Sequence, residues 1–274
     1  MYIVFDIGAT KTRIATSKDG ITVSEPLIIS TEANFDYAIA SIRDKAQELA
    51  EGEHITHIAG GVPGPLDKER TKVMNAPNLP EWNRKPLKAE LEKVLGAPVF
   101  LENDAALTGL GEALVGAGKG YSIVAYITVS TGVGGARIVD GVIDKNAWGF
   151  EPGHQIIFSS DAGGADLEWY ISGSAIEKRF GKKPYEITDE SVWEELARQL
   201  STGLNNTIVH WSPDIVVIGG SMMKQPGISI ERVCYHLKNV LKIFPEYPII
   251  EKAALGDSGG LYGALAFLNQ HIKK

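Results

Sequence analysis

Two apolar runs, Ile3-Val4-Phe5 with Ile7 and then Ile123–Val129, each end in a short turn rich in glycine and hydroxyl groups, and a second apolar run follows each turn. The turns are Gly8-Ala9-Thr10 and Ser130-Thr131-Gly132-Val133-Gly134-Gly135, about 120 residues apart. β-Branched apolar runs of this length suit buried strands. Strand–turn–strand repeated at that separation predicts an internal duplication: two related lobes that clamp a nucleotide. Such turns can offer backbone N–H groups, hydroxyls and, at Lys11, an ammonium group to a terminal phosphate. Asp6 interrupts the first run, and a carboxylate in a core strand is costly unless a cation sits on it. It is placed to face the Mg²⁺ that accompanies a nucleotide phosphate. A surface hairpin with a structural aspartate is the other reading of the same residues.

With 34 acidic against 27 basic residues the chain of 274 carries a net charge of −7, which argues against nucleic acid or an anionic membrane surface as principal partner. An anionic nucleotide answers to local charge and stays open. No charged and apolar leader pattern opens the chain and no apolar run reaches spanning length. The single cysteine, Cys234, allows neither an intrachain disulfide nor a cysteine zinc cluster. A cytoplasmic protein is expected.

Along the first half, 26–30 reads as a strand, 34–51 as a helix with Phe35, Ala38, Ile39, Ile42, Ala46, Leu49 and Ala50 at helical spacing, and 55–61 as a strand. Gly60 to Pro65 and Asn75 to Trp82 are too rich in glycine and proline to be regular. A helix at 87–95 and a strand at 98–101 lead to Glu102-Asn103-Asp104, where a helix begins. Asn or Asp there is either a helix cap or a carboxylate at the carboxyl end of a strand, where open α/β sheets place ligands.

In the second half a strand is expected at 136–139. Glu151 and His154 share a loop with no other Cys or His nearby, which favours hydrogen bonding to sugar hydroxyls over metal binding. A helical region opens at 166–168. A long helix at 189–211 carries Val192, Leu196, Leu200, Leu204 and Ile208 on one face. The strand from Asp214 runs into Gly219-Gly220, either an ordinary turn or bare backbone against which a base or ribose could lie. Helix 230–241, strand 248–251 and a small-residue helix from Ser258 complete the chain.

Taken together, Asp6-Ile-Gly-Ala-Thr-Lys-Thr12, Gly61-Val-Pro-Gly-Pro65, Asn75-Ala-Pro-Asn78, Glu102-Asn-Asp104-Ala105, Ser130 to Gly135, Glu151-Pro-Gly-His154 and Ile218-Gly-Gly220 resemble the ROK family of bacterial sugar kinases and repressors, within the actin/hexokinase-like ATPase superfamily. The resemblance runs essentially end to end. It implies an α/β protein of two ribonuclease-H-like lobes with an interlobe cleft, one lobe being 1–105 with the returning helix 258–274 and the other 106–257. It implies an ATP-dependent kinase acting on the 6-hydroxyl of glucose, mannose, fructose or an N-acetylhexosamine. Asp104 then matches the general base. Asn78, Asn103, Glu151, His154 and Glu168 match sugar-contacting positions, and Gly8, Thr10, Lys11, Thr131, Gly132, Gly219 and Gly220 match the nucleotide side. ATP and Mg²⁺ are the implied cofactors, and a homodimer is the common assembly. Many members carry a cysteine cluster after the His that binds zinc with it. Here the matching stretch from Phe158 to Glu168 has no cysteine, so no zinc is expected. The chain opens directly on the phosphate hairpin, without a helix-turn-helix, which points away from the repressor branch. A sugar sensor without catalysis and an ATPase acting on a non-sugar substrate are the alternatives.

Overall fold

The computed structural model describes residues 1–160 and 163–272. Asp161 and Ala162, within the cysteine-free stretch, and the last two residues of the expected segment 258–274 lie outside them. Two compact units are formed: Met1–Gly111 with Lys145–Gly149 and Asp257–Lys274, and Glu112–Asp144 with Phe150–Gly256. The chain thus first passes from one to the other inside a helix, beyond the boundary at 105 expected from the sequence.

Unit 1 holds β1 (Tyr2–Ile7), β2 (Lys11–Ser17), β3 (Leu27–Ser30), α1 (Phe35–Ala50), β4 (His57–Val62), α2 (Leu87–Leu95), β5 (Val99–Asn103) and the start of α3 (Asp104–Val115). Its sheet runs β3-β2-β1-β4-β5. The first three strands pair antiparallel, and β4 and β5 continue from β1 in parallel. α1 forms because Asn34 caps it, accepting from the N–H groups of Asp36 and Tyr37, and because Phe35, Ala38, Ile39, Ile42 and Ala46 bury one stripe. Such a cap is worth about 1 kcal/mol.

Unit 2 holds β6 (Ile123–Val129), β7 (Val133–Val139), β8 (Val142–Ile143), β9 (Ile156–Ser160), β10 (Gly163–Asp166), α4 (Leu167–Ile171), α5 (Gly173–Phe180), α6 (Glu190–Trp211), β11 (Ile215–Gly219), α7 (Ile230–Val240) and β12 (Ile249–Lys252). Its main sheet runs β12-β11-β6-β7-β8. β6, β7 and β8 pair antiparallel, and β11 and β12 extend from β6 in parallel. This is the order of the first sheet repeated strand for strand, which is the duplication that the two turns predict. Each unit has its own apolar core. The last helix, α8 (Gly259–Ile272), packs on β1 and β4 of unit 1.

One local expectation needs correction, and one hairpin was not expected. β7 begins at Val133, not 136, so Gly134 and Gly135 lie within the strand. A Cβ on Gly135 would stand 2.4 Å from the Tyr126 carbonyl oxygen, so this glycine answers to close packing and not to a turn. The β9–β10 hairpin has no apolar–polar alternation to announce it, and its register slips between Ala165 and Asp166. Among the described residues no helix is long and apolar enough to cross a membrane.

Candidate active site

In unit 1 the parallel pairing sets Asp6 opposite Gly61, and Gly61 opposite Glu102. The carboxyl ends of β1, β4 and β5 therefore bring Asp6 and Asp104 to the two sides of a glycine. A Cβ on Gly61 would lie 3.3 Å from Asp6 Oδ1 and 3.0 Å from the Asp104 Cα. Gly260, in the first turn of α8, bounds Asp6 on another side, since its Cβ would come within 2.7 Å of the Asp6 Cγ. Asp6 thus has bare glycine backbone on two of its sides. The cation that its burial requires is Arg13, its cross-strand neighbour, with Nη1 3.9 Å from Asp6 Oδ2 and Nη2 3.3 Å from Asp257.

Burial pushes the Asp6 carboxyl up to about 6, against the pull of Arg13 and with a smaller push from Asp257. The folded state therefore holds this proton more tightly than the unfolded chain. The stability it contributes is complete below the ordinary carboxylate value and is lost as pH rises through about 6. At about 1.4 kcal/mol per pH unit of displacement, the loss is about 3 kcal/mol. Without divalent cation, Asp6→Asn is therefore expected to melt above the parent protein at pH 8 and together with it at pH 4. Thermal melts of both across that range, with chelator present, check this; a constant difference would remove the cause given.

The turn after β1 is closed by the Gly8 N–H donating to the Lys11 carbonyl at 2.9 Å, so that N–H is not available to a phosphate as expected. Thr12 faces the core and pairs its hydroxyl with Thr31 at 2.9 Å. Thr10 and Lys11 remain exposed at the tip.

At the β5–α3 junction both sequence readings hold at once. Asn103 Oδ1 accepts from the Ala106 N–H at 3.0 Å, capping α3, and its amide donates to the Gly64 carbonyl at 3.3 Å. Asp104 Oδ1 accepts from the Ala105 N–H at 2.8 Å. Gly64 takes a φ of 82° and lies against the Asn75 carbonyl, which joins the two irregular loops beside Asn103. Asn78 is exposed in the second of those loops.

In unit 2 the sugar candidates form one cluster. Asp166 Oδ2 lies 3.0 Å from His154 Nδ1, and Asp166 Oδ1 caps α4 through the Trp169 N–H at 2.8 Å. Glu168, in the first turn of α4, accepts from the Val133 N–H at 2.7 Å. The hydrogen bond that His154 donates to Asp166 raises the pKa of His154; burial opposes it, and Glu168 and Glu151 add to it. Glu151 is raised by desolvation, with His154 opposing and Glu168 adding. Among the described residues no three of His, Cys, Asp and Glu gather to hold a metal alone. A nucleotide-borne Mg²⁺ needs only one or two carboxylates besides phosphate and water oxygens, and Asp6 beside its bare glycines fits that donor set.

The nucleotide candidates of unit 2 lie at the carboxyl ends of β6 and β11, which are neighbours, with the Ser130 and Ser221 hydroxyls 3.0 Å apart. Three glycines here have packing reasons of their own. A Cβ on Gly132 would meet Glu168 Oε2 at 2.7 Å, one on Gly219 would meet the Tyr126 hydroxyl at 2.7 Å, and one on Gly220 would meet the Val129 carbonyl at 2.1 Å. Gly220 also takes a φ of 100°. The bare faces of Gly219 and Gly220 are thus filled by the protein itself, and any base or ribose must approach from the other side.

A model of the ROK family matches residues 2–271. The chain belongs to the ROK family. It is similar to a glucokinase of Thermotoga maritima, 28% identical over 85% of this chain and 86% of that one. It is also similar to an N-acetyl-D-glucosamine kinase of Escherichia coli, 29% identical over 98% and 99%. Among solved structures, a ROK family glucokinase from Streptomyces griseus, in complex with glucose and AMPPNP, aligns with a TM-score of 0.83 at 25% identity, covering 98% and 99% of the two chains. The α/β fold with two five-stranded sheets is that of the ROK hexokinases.

Three residues of this ROK protein emerge only from the structure. Asp166 is one. Arg70 is another: it takes a left-handed φ of 55°, donates through Nε to Glu102 at 3.2 Å and through Nη2 to Asn146 at 2.7 Å, and so braces the strand end that carries Asp104. Nothing in its loop composition marks it. The third is Glu112, whose signal was present: it is the one charged residue of Leu110-Gly-Glu-Ala-Leu-Val115, and a buried charge demands partners.

Proposed function

We propose that this ROK protein is an ATP-dependent hexose kinase that transfers the γ-phosphate to the 6-hydroxyl of a hexose: glucose, mannose, fructose or an N-acetylhexosamine. The observation that carries the reading is the pair Asp6 and Asp104 on either side of Gly61 at the carboxyl ends of three adjacent parallel strands. Phosphoryl transfer asks for positioning and charge neutralisation, and these two carboxylates divide the work. Asp104 accepts the proton of the attacking hydroxyl. Asp6 faces the magnesium ion, which supplies charge neutralisation on the phosphates when bound. Thr10 and Lys11, exposed at the first turn, meet phosphate oxygens; Gly8 shapes that turn. Thr131, Gly132, Gly219 and Gly220 shape the nucleotide side of unit 2. Asn78, Glu151, His154 and Glu168 bond the sugar hydroxyls. Asn103 keeps one amide hydrogen for the same purpose after its bond to Gly64. The glucokinase and N-acetylglucosamine kinase names of the relatives support the substrate class.

The test is a coupled ADP-release assay with Mg²⁺-ATP against a panel of hexoses and N-acetylhexosamines. Turnover with one sugar far above the others is expected. ATP turnover that ignores every sugar tried would overturn the reading.

A further inference from the structure

We propose that Asp166 is the positioning residue of the sugar-facing cluster, one carboxylate that fixes the imidazole of His154 and the first turn of the helix bearing Glu168 together. The inference rests on the reading of His154 and Glu168 as sugar contacts and adds how they are held. The two oxygens of Asp166 serve two different elements: Oδ2 faces His154 Nδ1 at 3.0 Å, and Oδ1 accepts from the Trp169 N–H at 2.8 Å. The register of the β9–β10 pairing shifts between Ala165 and Asp166, which leaves Asp166 opposite Ile156 at the end of the ladder, next to the start of α4. A carboxylate only accepts, so a neutral His154 must carry its proton on Nδ1 and leave Nε2 unprotonated, as an acceptor. The imidazole is 57% exposed, so that nitrogen is within reach of a hydroxyl. The other charged groups facing His154 are Glu168 from α4 and Glu151 from its own loop. Both favour the charged ring and neither is bonded to Nδ1; the tautomer is set by Asp166 alone.

The start of α4 has a second tie, the Leu167 N–H to the Gln155 carbonyl at 3.0 Å, so the fold does not hang on Asp166. Asp166→Asn separates the two duties. Asparagine caps a helix as well as aspartate does. With its oxygen kept on the Trp169 N–H, however, its amide puts a donor against Nδ1–H, and the ring is driven to the other tautomer. In Asp166→Asn we expect an unchanged melting temperature, an unchanged KM for ATP, a sugar KM raised at least tenfold and kcat altered less than threefold. In the His154→Ala background the same change should move the sugar KM less than twofold, since the positioned group is gone. A sugar-free readout stands beside these: ¹⁵N shifts of the His154 ring, followed upward in pH until the ring has lost its charge, should report protonated Nδ1 in the parent protein and protonated Nε2 in Asp166→Asn. An unchanged tautomer, or an equal rise in KM with and without His154, would overturn the proposal. A protein that binds no hexose would remove the kinase reading, and the ring shifts would still decide the role of Asp166.

Discussion

Asp104→Asn is expected to lower kcat by about a thousandfold while the sugar KM stays within a few-fold. A positioned general base contributes about 10²- to 10⁴-fold. The amide keeps the shape of the side chain and an oxygen for the Ala105 N–H, but it cannot take the proton of the attacking hydroxyl. Because the loss falls on kcat and kcat/KM alike, it marks an interaction made in the transition state alone. Steady-state kinetics on the variant, with a melt to show that it is folded, decide the matter. A variant with parental kcat would mean that the proton leaves by another route.

The largest loss of stability is expected at Glu112. This side chain is fully buried, and its carboxylate accepts from the N–H groups of Ala117 at 2.9 Å, Ala254 at 3.1 Å and Leu255 at 2.8 Å. Gly116 is small for the same reason, since a Cβ there would stand 2.1 Å from Glu112 Oε2. In Glu112→Ala three backbone donors lose their partner in a closed space, and each orphan costs about 1–3 kcal/mol. We expect a loss of about 4 kcal/mol, comparable to breaking a buried ion pair. Glu112→Gln, which keeps one acceptor oxygen, should lose roughly half of that. Urea titrations of the three proteins give the values, and a loss under about 1 kcal/mol in the alanine variant would show that the site relaxes or takes up water.

The fold was legible in the sequence where one physical demand governed a stretch. Apolar β-branched runs could be little but strands, and the stripe on α6 little but a core face; Leu196, Leu200, Leu204 and Ile208 are buried as that spacing requires, while Val192 is only half-buried and Trp193 beside it is buried instead. Glycines were harder, because a missing side chain does not say what fills its place. Gly135 and Gly219 read as turn or ligand glycines, and the space beside them belongs to Tyr126. Residue types did nominate Asp6, Asp104 and His154. Their partners were hidden because they lie far along the chain or in unpatterned loops: Gly260 against Asp6, Arg70 against Glu102, and Asp166 past an irregular hairpin. Such pairings are products of topology and cannot be read from local spacing.

The return of α8 to β1 has a meaning for synthesis. The strand that carries Asp6 leaves the ribosome well before Gly260, which bounds it. Every strand of the unit 2 sheet is made before α8 begins. Unit 1 is therefore completed only after the sheet of unit 2 has been made, and until then its nascent form carries an uncovered carboxylate in a half-built core. A chain stopped short of α8 would have the twelve strands of the described residues and still lack the surface that completes the place of Asp6.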